Sequence, residues 1–317
     1  RFIWRAFLLF LIGWVHQLFY RGDILTIYAV LAPFIIPFYR MSTKWLPITA
    51  GLIFLGLPRF ISFAIFGADS ITGVGAMMDN NHELVKNYID TITNGSLGEV
   101  FYLNATYGML TKIDFQVSFF GRFYYTFAYF LIGLWLGRIG LFKDLTVYSK
   151  KIKDFMLWSI GALILSVGFV IATFATAPQP IDFSTWQFAL GMNFMDWVSI
   201  SMASIILCGF LMLYQKESWK KRLAFFAPYG RMALTNYFMQ SVIGTFIYFG
   251  WGLGYIGHFG ALICFLLGIG IIILQTLLSK YWLRKFKYGP LEWLWRCGTY
   301  LKWQPFLKTT PPSPAVQ

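Results

Sequence analysis

Eight predominantly apolar runs recur along the 317-residue chain, at about 3–20, 23–39, 45–66, 119–140, 155–177, 196–214, 231–250 and 259–281. At a helical rise of about 1.5 Å per residue, runs of this length can cross a bilayer. They dictate an all-α, polytopic integral membrane bundle with about eight transmembrane helices, in a single domain over residues 1–305. The composition agrees, since 58% apolar and 12% charged residues lie outside the range of a soluble domain of this length.

The net charge of +13 raises the possibility of nucleic acid. The basic residues, however, gather at the ends of the apolar runs, as membrane topology requires, so no nucleic-acid partner is expected. With the N-terminus cytoplasmic, Arg5, Arg40, Lys44, Lys150, Lys151, Lys220, Lys221, Arg222, Arg284 and Lys285 all fall on the cytoplasmic side. Asp23, Asp69, Asp79, Glu83, Asp90, Glu99, Asp114, Asp182 and Asp196 fall on the other. Both ends of the chain are therefore expected in the cytosol. The chain opens at Arg1 directly before an apolar run, so an upstream part of the protein is expected. That first run is too long for a signal-peptide core and lacks a small-residue cleavage site, so it reads as a spanning helix.

Cys208 and Cys264 fall within apolar runs and Cys297 near a basic end, which suits packing and not a disulfide framework. The one long connection, 67–118, is expected to be extracytoplasmic. It carries a helix start at Asn80 and Glu83, then an amphipathic face of Leu84, Val85, Tyr88, Ile89 and Ile92 that ends before Gly95. Asn104-Ala-Thr spells a sequon used only in a eukaryotic secretory setting. Gly133 and Gly137 have the spacing of close helix packing. Gly252, Gly254 and Gly257 spell a dinucleotide fingerprint, but no strand precedes them. Residues 287–303 read as a cytoplasmic interfacial helix with Pro290 in its first turn, and 306–317 as a disordered tail.

Candidate chemistry starts in Pro228–Gly250, where Asn236, Gln240 and Gly244 form one helical stripe, with Arg231 and Thr235 on a neighbouring one. Polar groups in a span face protein or a wet cavity. They either line a substrate path or glue helices together. His16 lies near the end of the first run and Asp23 starts the second, so a short turn brings them close. A histidine oriented by a carboxylate can act as a general base on a hydroxyl or amine. The pair can equally be an interfacial histidine and a helix cap. His82 and His258 are less well placed, and three scattered histidines make no metal site. Arg59 and Arg122 can hold a carboxylate or phosphate, or pair with Asp114 or Asp196. Arg231, beside the Lys220-Lys221-Arg222 cluster, can meet a phosphorylated cytosolic donor such as acyl-CoA, or lipid headgroups. No P-loop, G-x-S-x-G elbow or H-E-x-x-H helix is present.

Three motifs carry a resemblance: Gly22-Asp23-Ile24-Leu25, Gly230-Arg231-Met232-Ala233-Leu234-Thr235-Asn236-Tyr237, and Tyr288-Gly289-Pro290-Leu291-Glu292-Trp293-Leu294-Trp295-Arg296. Over most of its length the chain resembles the YeiB-like family of bacterial polytopic membrane proteins of unassigned function. More distantly it is similar to the transmembrane acyltransferase superfamily, which includes sugar O-acetyltransferases and the heparan glucosaminide acetyltransferase. The resemblance implies a bacterial inner-membrane protein that moves an acyl group from cytosolic acyl-CoA to an envelope glycan or lipid acceptor, with a histidine as base. The resemblance implies an upstream span with an Arg-Gly motif, and this chain begins after it. YeiB-like proteins have also been labelled transporters, so a transporter or lipid-handling permease is the alternative. On the leading reading His16 and Asp23 are catalytic, and Arg59, Arg122, Arg231, Thr235, Asn236 and Gln240 bind substrate or donor. No resident cofactor is expected.

Overall fold

The computed structural model describes residues 1–67, 83–117, 121–178, 181–182 and 184–308. Asp69, Asp79, the helix start expected at Asn80, His82 and the tail from Thr309 lie outside them. In chain order the helices are α1 (Phe2–Phe19), α2 (Leu25–Leu31), α3 (Trp45–Phe54), α4 (Leu57–Phe66) and α5 (Glu83–Asn94). Then follow α6 (Leu97–Ala105), α7 (Tyr107–Val117), α8 (Arg122–Ile139), α9 (Ser149–Ala175) and α10 (Trp186–Tyr214). The last five are α11 (Glu217–Leu223), α12 (Ala227–Arg231), α13 (Ala233–Tyr248), α14 (Ala261–Lys285) and α15 (Pro290–Tyr300). Among the described residues there is no strand beyond an isolated bridge between Phe286 and Leu307, so the all-α expectation holds.

α1, α9 (with the short turn before it), α10 and α14 are each long and apolar enough to cross a membrane. Among the described residues the count becomes five if α3 and α4, bent by 45° at their junction, form one span. The eight expected spans are therefore not all met by continuous apolar helices. Pro33 and Pro37 turn the second run into α2 followed by two 3-10 segments. α8 is long enough, but Arg122, Arg138 and several tyrosines lower its hydropathy. Large apolar side chains such as Trp158, Ile164, Leu262 and Phe265 are mostly exposed, which suits a surface solvated by lipid.

The chain forms two compact units. The second comprises residues 31–80 and 107–222. In it α9 and α10 run antiparallel, held by Ser149 on Gln215 at one end and Gln187 on Thr173 at the other. α3 packs on α8 through Leu46, Ala50, Ala128 and Leu131. Gly133 and Gly137 lie off that stripe, and an added Cβ on either would meet nothing within 4 Å. The close packing expected there is not found, because Ala128 and Leu131 provide the contact face instead. The bend between α3 and α4 falls at Gly56, whose φ of 88° is open to glycine at no steric cost. Carbonyls freed by the bend are met from α10, by Trp197 Nε1 on Phe54 at 2.6 Å and Asn193 Nδ2 on Leu55 at 3.3 Å.

The first unit comprises residues 1–30, 81–106 and 223–317. α15 ties its helices together. Trp295 Nε1 donates to the Arg5 carbonyl, and Trp4 Nε1 donates to the Gly298 carbonyl. Residues 306–308, expected to begin a disordered tail, instead bond back. Lys287 N donates to Phe306 O and Lys308 N to Lys285 O. The connection expected to hold one amphipathic helix holds α5, α6 and α7. On α5, Tyr88 and Ile92 are buried while Leu84 and Ile89 are exposed. α6 opens with a capping box, Ser96 and Glu99 bonding each other's backbone amides. Asn104 of the sequon is fully buried, its amide donating to Leu18 O.

Candidate functional site

The first unit brings His16 and Asp23 together. Tyr20 and Asp23 close a turn after α1, and the Asp23 side chain caps the start of the next helix. Its carboxylate accepts the amides of Leu25 (3.1 Å) and Thr26 (2.9 Å) and the Thr26 hydroxyl (2.7 Å). It also receives His16 Nδ1 at 2.8 Å. Capping and orienting are thus both performed by one side chain. Gly13, one turn before His16, makes the approach possible, because a Cβ there would sit 2.7 Å from Thr26 N.

Both groups are sealed, His16 at 0% and Asp23 at 1% exposure. Tyr237 and Phe238 of α13 enclose the imidazole, with ring centroids 4.7 and 5.2 Å away. An ionised carboxylate only accepts, which assigns the Nδ1 proton to the bond with Asp23; in a neutral ring Nε2 is then the acceptor. Nε2 lies 2.7 Å from the Ser241 hydroxyl on α13. Ser241 is half-buried and lines an open cavity of about 270 Å³, walled by Tyr20, Gln240, Gly244, Thr245 and Tyr248. Carboxylate, imidazole and hydroxyl are therefore linked in succession, and the serine borders the cavity. This line can move a proton between Ser241, or a hydroxyl beside it, and His16.

Ser241 was not legible in the sequence, since it lies 225 residues from His16 and in no motif. Tyr237, Ser241 and Thr245 form the stripe of α13 that meets His16 or the cavity, one residue over from the expected Asn236–Gln240–Gly244 stripe. Asn236 is 5% exposed and bonded to Ser279 Oγ and Tyr229 O, both at 3.0 Å, while Gln275 Nε2 donates to its carbonyl. That is the interhelical glue. Gln240 donates to Tyr229 Oη at 2.8 Å and also borders the cavity. Thr235 donates to Glu292 of α15 at 2.6 Å, and the same carboxylate accepts the Leu234 and Thr235 amides. Glu292 caps a helix whose own N-cap residue, Met232, supplies no side-chain bond. Arg231, at the end of α12, is exposed.

Arg59 and Arg122 belong to the second unit, where both meet Asp196. Arg59 and Asp196 are each 1% exposed. Arg59 lies 5.4 Å over the Tyr125 ring, and Tyr125 Oη donates to Asn193 at 2.9 Å. The salt-bridge alternative for the two arginines is what the geometry displays. Asp196 was expected at the start of a span, but α10 begins at Trp186 and buries it within the helix. His258 lies exposed in a turn, Nδ1 at 3.0 Å from Ile256 O.

A helical integral membrane protein with a buried histidine–carboxylate pair beside a cavity is the class these features define. Residues 136–302 match the family described as "Protein of unknown function (DUF418)", and the chain belongs to that family. It is 30% identical over 319 residues to the uncharacterized protein YxaH of Bacillus subtilis (strain 168), covering 98% of this chain and 74% of the relative. It is 29% identical over 314 residues to the uncharacterized protein YeiB of Escherichia coli (strain K12), covering 92% and 74%. An uncharacterized 39.9 kDa protein in the amylase 3' region of Bacillus acidopullulyticus is 25% identical over 324 residues, covering 96% and 73%. The expected YeiB-like membership holds. No solved structure matches.

Proposed function

We propose that the protein is an acyltransferase of a bacterial cytoplasmic membrane, moving an acyl group from cytosolic acyl-CoA to a glycan or lipid acceptor of the cell envelope. The observation that carries this reading is the line from Asp23 through His16 to a hydroxyl on a cavity wall. Acyl transfer to an alcohol needs a base at the hydroxyl and a group that stabilises the imidazolium formed, and Asp23 supplies the second. Arg231 suits the donor phosphates, on the side that the positive-inside bias makes cytosolic. From the start of α13 to Ser241 is about 12 Å at a helical rise of ~1.5 Å per residue. An extended pantetheine arm covers that distance.

One observation favours a transporter or lipid-handling permease instead. Arg59 and Asp196 form a buried charged pair that the partly exposed Arg122 joins, and ionisable residues inside membrane proteins commonly mark ion or substrate paths. The two readings separate on incubation of the full-length protein in membranes with radiolabelled acetyl-CoA. Acyl transfer predicts label in an envelope fraction, lost on His16→Gln. Transport predicts no label there with either protein, and flux that depends on Asp196.

A further inference from the structure

Many hydroxyls inside the helices of this protein bond their own backbone. Ser159, Ser166, Thr173, Thr245 and Thr276 each donate to the carbonyl four residues back, at 2.7 to 2.8 Å. Ser241, like Thr235 and Ser279, meets a side chain of another helix instead, and its partner is an imidazole. Its hydroxyl is held 2.7 Å from His16 Nε2, and it borders the cavity that the imidazole itself does not reach.

We infer that Ser241 is the nucleophile, and that acyl transfer passes through an acyl-serine on α13. The inference deepens the acyltransferase reading and rests on it for the identity of the donor. Ser241 Oγ attacks the thioester carbonyl while His16 Nε2 takes its proton, so the C–O bond forms as the C–S bond breaks. The proton on His16 goes to the departing thiolate, which leaves as free CoA thiol. In the second half the acceptor hydroxyl gives its proton to His16 and attacks the acyl-serine. The new ester leaves, and Ser241 Oγ recovers the proton. No oxidant or further reactant is consumed. Ser241 stands in mid-helix, where backbone amides are already bonded, so the carbonyl oxygen must be met by side chains. Tyr20, Gln240 and Tyr248 are polar groups on the cavity wall for that task, Thr245 being bonded back to its own helix.

The test treats the full-length protein in detergent with [14C]acetyl-CoA and no acceptor, followed by acid quench and peptide mass spectrometry. A fluorophosphonate, which reports an activated serine whatever the donor, is used in parallel. The expected result is an acetyl group on the Ser241 peptide, approaching one per chain and absent in His16→Gln. Ser241→Cys should keep the label as a thioester that neutral hydroxylamine removes. Ser241→Ala should lose transfer by at least about a hundredfold. Fluorophosphonate labelling of Ser241 without any acetyl label would keep the nucleophile and overturn the acyl-CoA donor. Transfer by Ser241→Ala within threefold of wild type would overturn the acyl-serine while leaving the acyltransferase reading intact. Failure of both reagents to label Ser241 would overturn the inference.

Discussion

The carboxylate of Glu292 on α15 receives the Thr235 hydroxyl of α13 at 2.6 Å. Through that contact, the last helix holds the helix that presents Ser241 to His16. Two stretches, Gly230–Tyr237 and Tyr288–Arg296, are thereby parts of one joint. Glu292→Ala removes the acceptor for two backbone amides and one hydroxyl at a helix N-terminus, where negative charge is favoured. The expected loss is about 2 kcal/mol, read as a lower thermal midpoint in detergent. Thr235→Val should be milder and should leave donor KM unchanged; a raised KM with unchanged stability would return Thr235 to the donor site.

Gly13 lets α1 approach the start of α2 closely enough for His16 to reach Asp23. Gly13→Leu should separate them, at an overpacking cost of about 1–3 kcal/mol. Acetyl transfer should fall by at least an order of magnitude, while Gly133→Leu, whose Cβ would face open space, leaves it within twofold.

Asp196 is shared by Arg59 and Arg122. Asp196→Asn removes that shared charge in a buried setting, and the expected destabilisation is about 3–5 kcal/mol. A paired Arg59→Met, Asp196→Leu change should be less harmful than the single one. A double-mutant cycle on thermal midpoints would reveal this, and additive effects would contradict it.

Glu99 lies outside the spanning helices, and hydrogen bonds from the Ser96 amide and hydroxyl hold its pKa below the usual carboxylate value. A lowered carboxyl stabilises the folded α6 above the ordinary carboxylate range, and that contribution disappears as pH falls through the lowered value. Amide protection at the start of α6, measured against the intrinsic exchange rate at each pH, should therefore fall on acidification below the ordinary carboxylate range. Ser96→Ala should show the lower protection already at neutral pH.

The apolar runs made the helical membrane architecture legible, because length and hydropathy are local properties. The bend at Gly56 was not legible, since it depends on Asn193 and Trp197 of α10 meeting the freed carbonyls. His16 and Asp23 could be paired because only a turn separates them. Ser241 could not, for its partner lies on another helix and its own neighbours spell nothing. Ser96-x-x-Glu99 was a readable capping box and would have placed α6. Asn236 shows the limit of pattern alone, since a polar stripe looks the same whether it borders a void or, as here, meets Ser279 on the next helix.

The central claim is that His16 acts as a base on a hydroxyl at the cavity wall. Transfer of label from [14C]acetyl-CoA to an envelope acceptor, in membranes holding equal amounts of folded protein, tests it most directly. His16→Gln should lower the rate by about 10²- to 10⁴-fold, with Asn236→Ala as the control that loses stability and keeps the rate. A His16→Gln protein that transfers label within threefold of wild type would contradict the account.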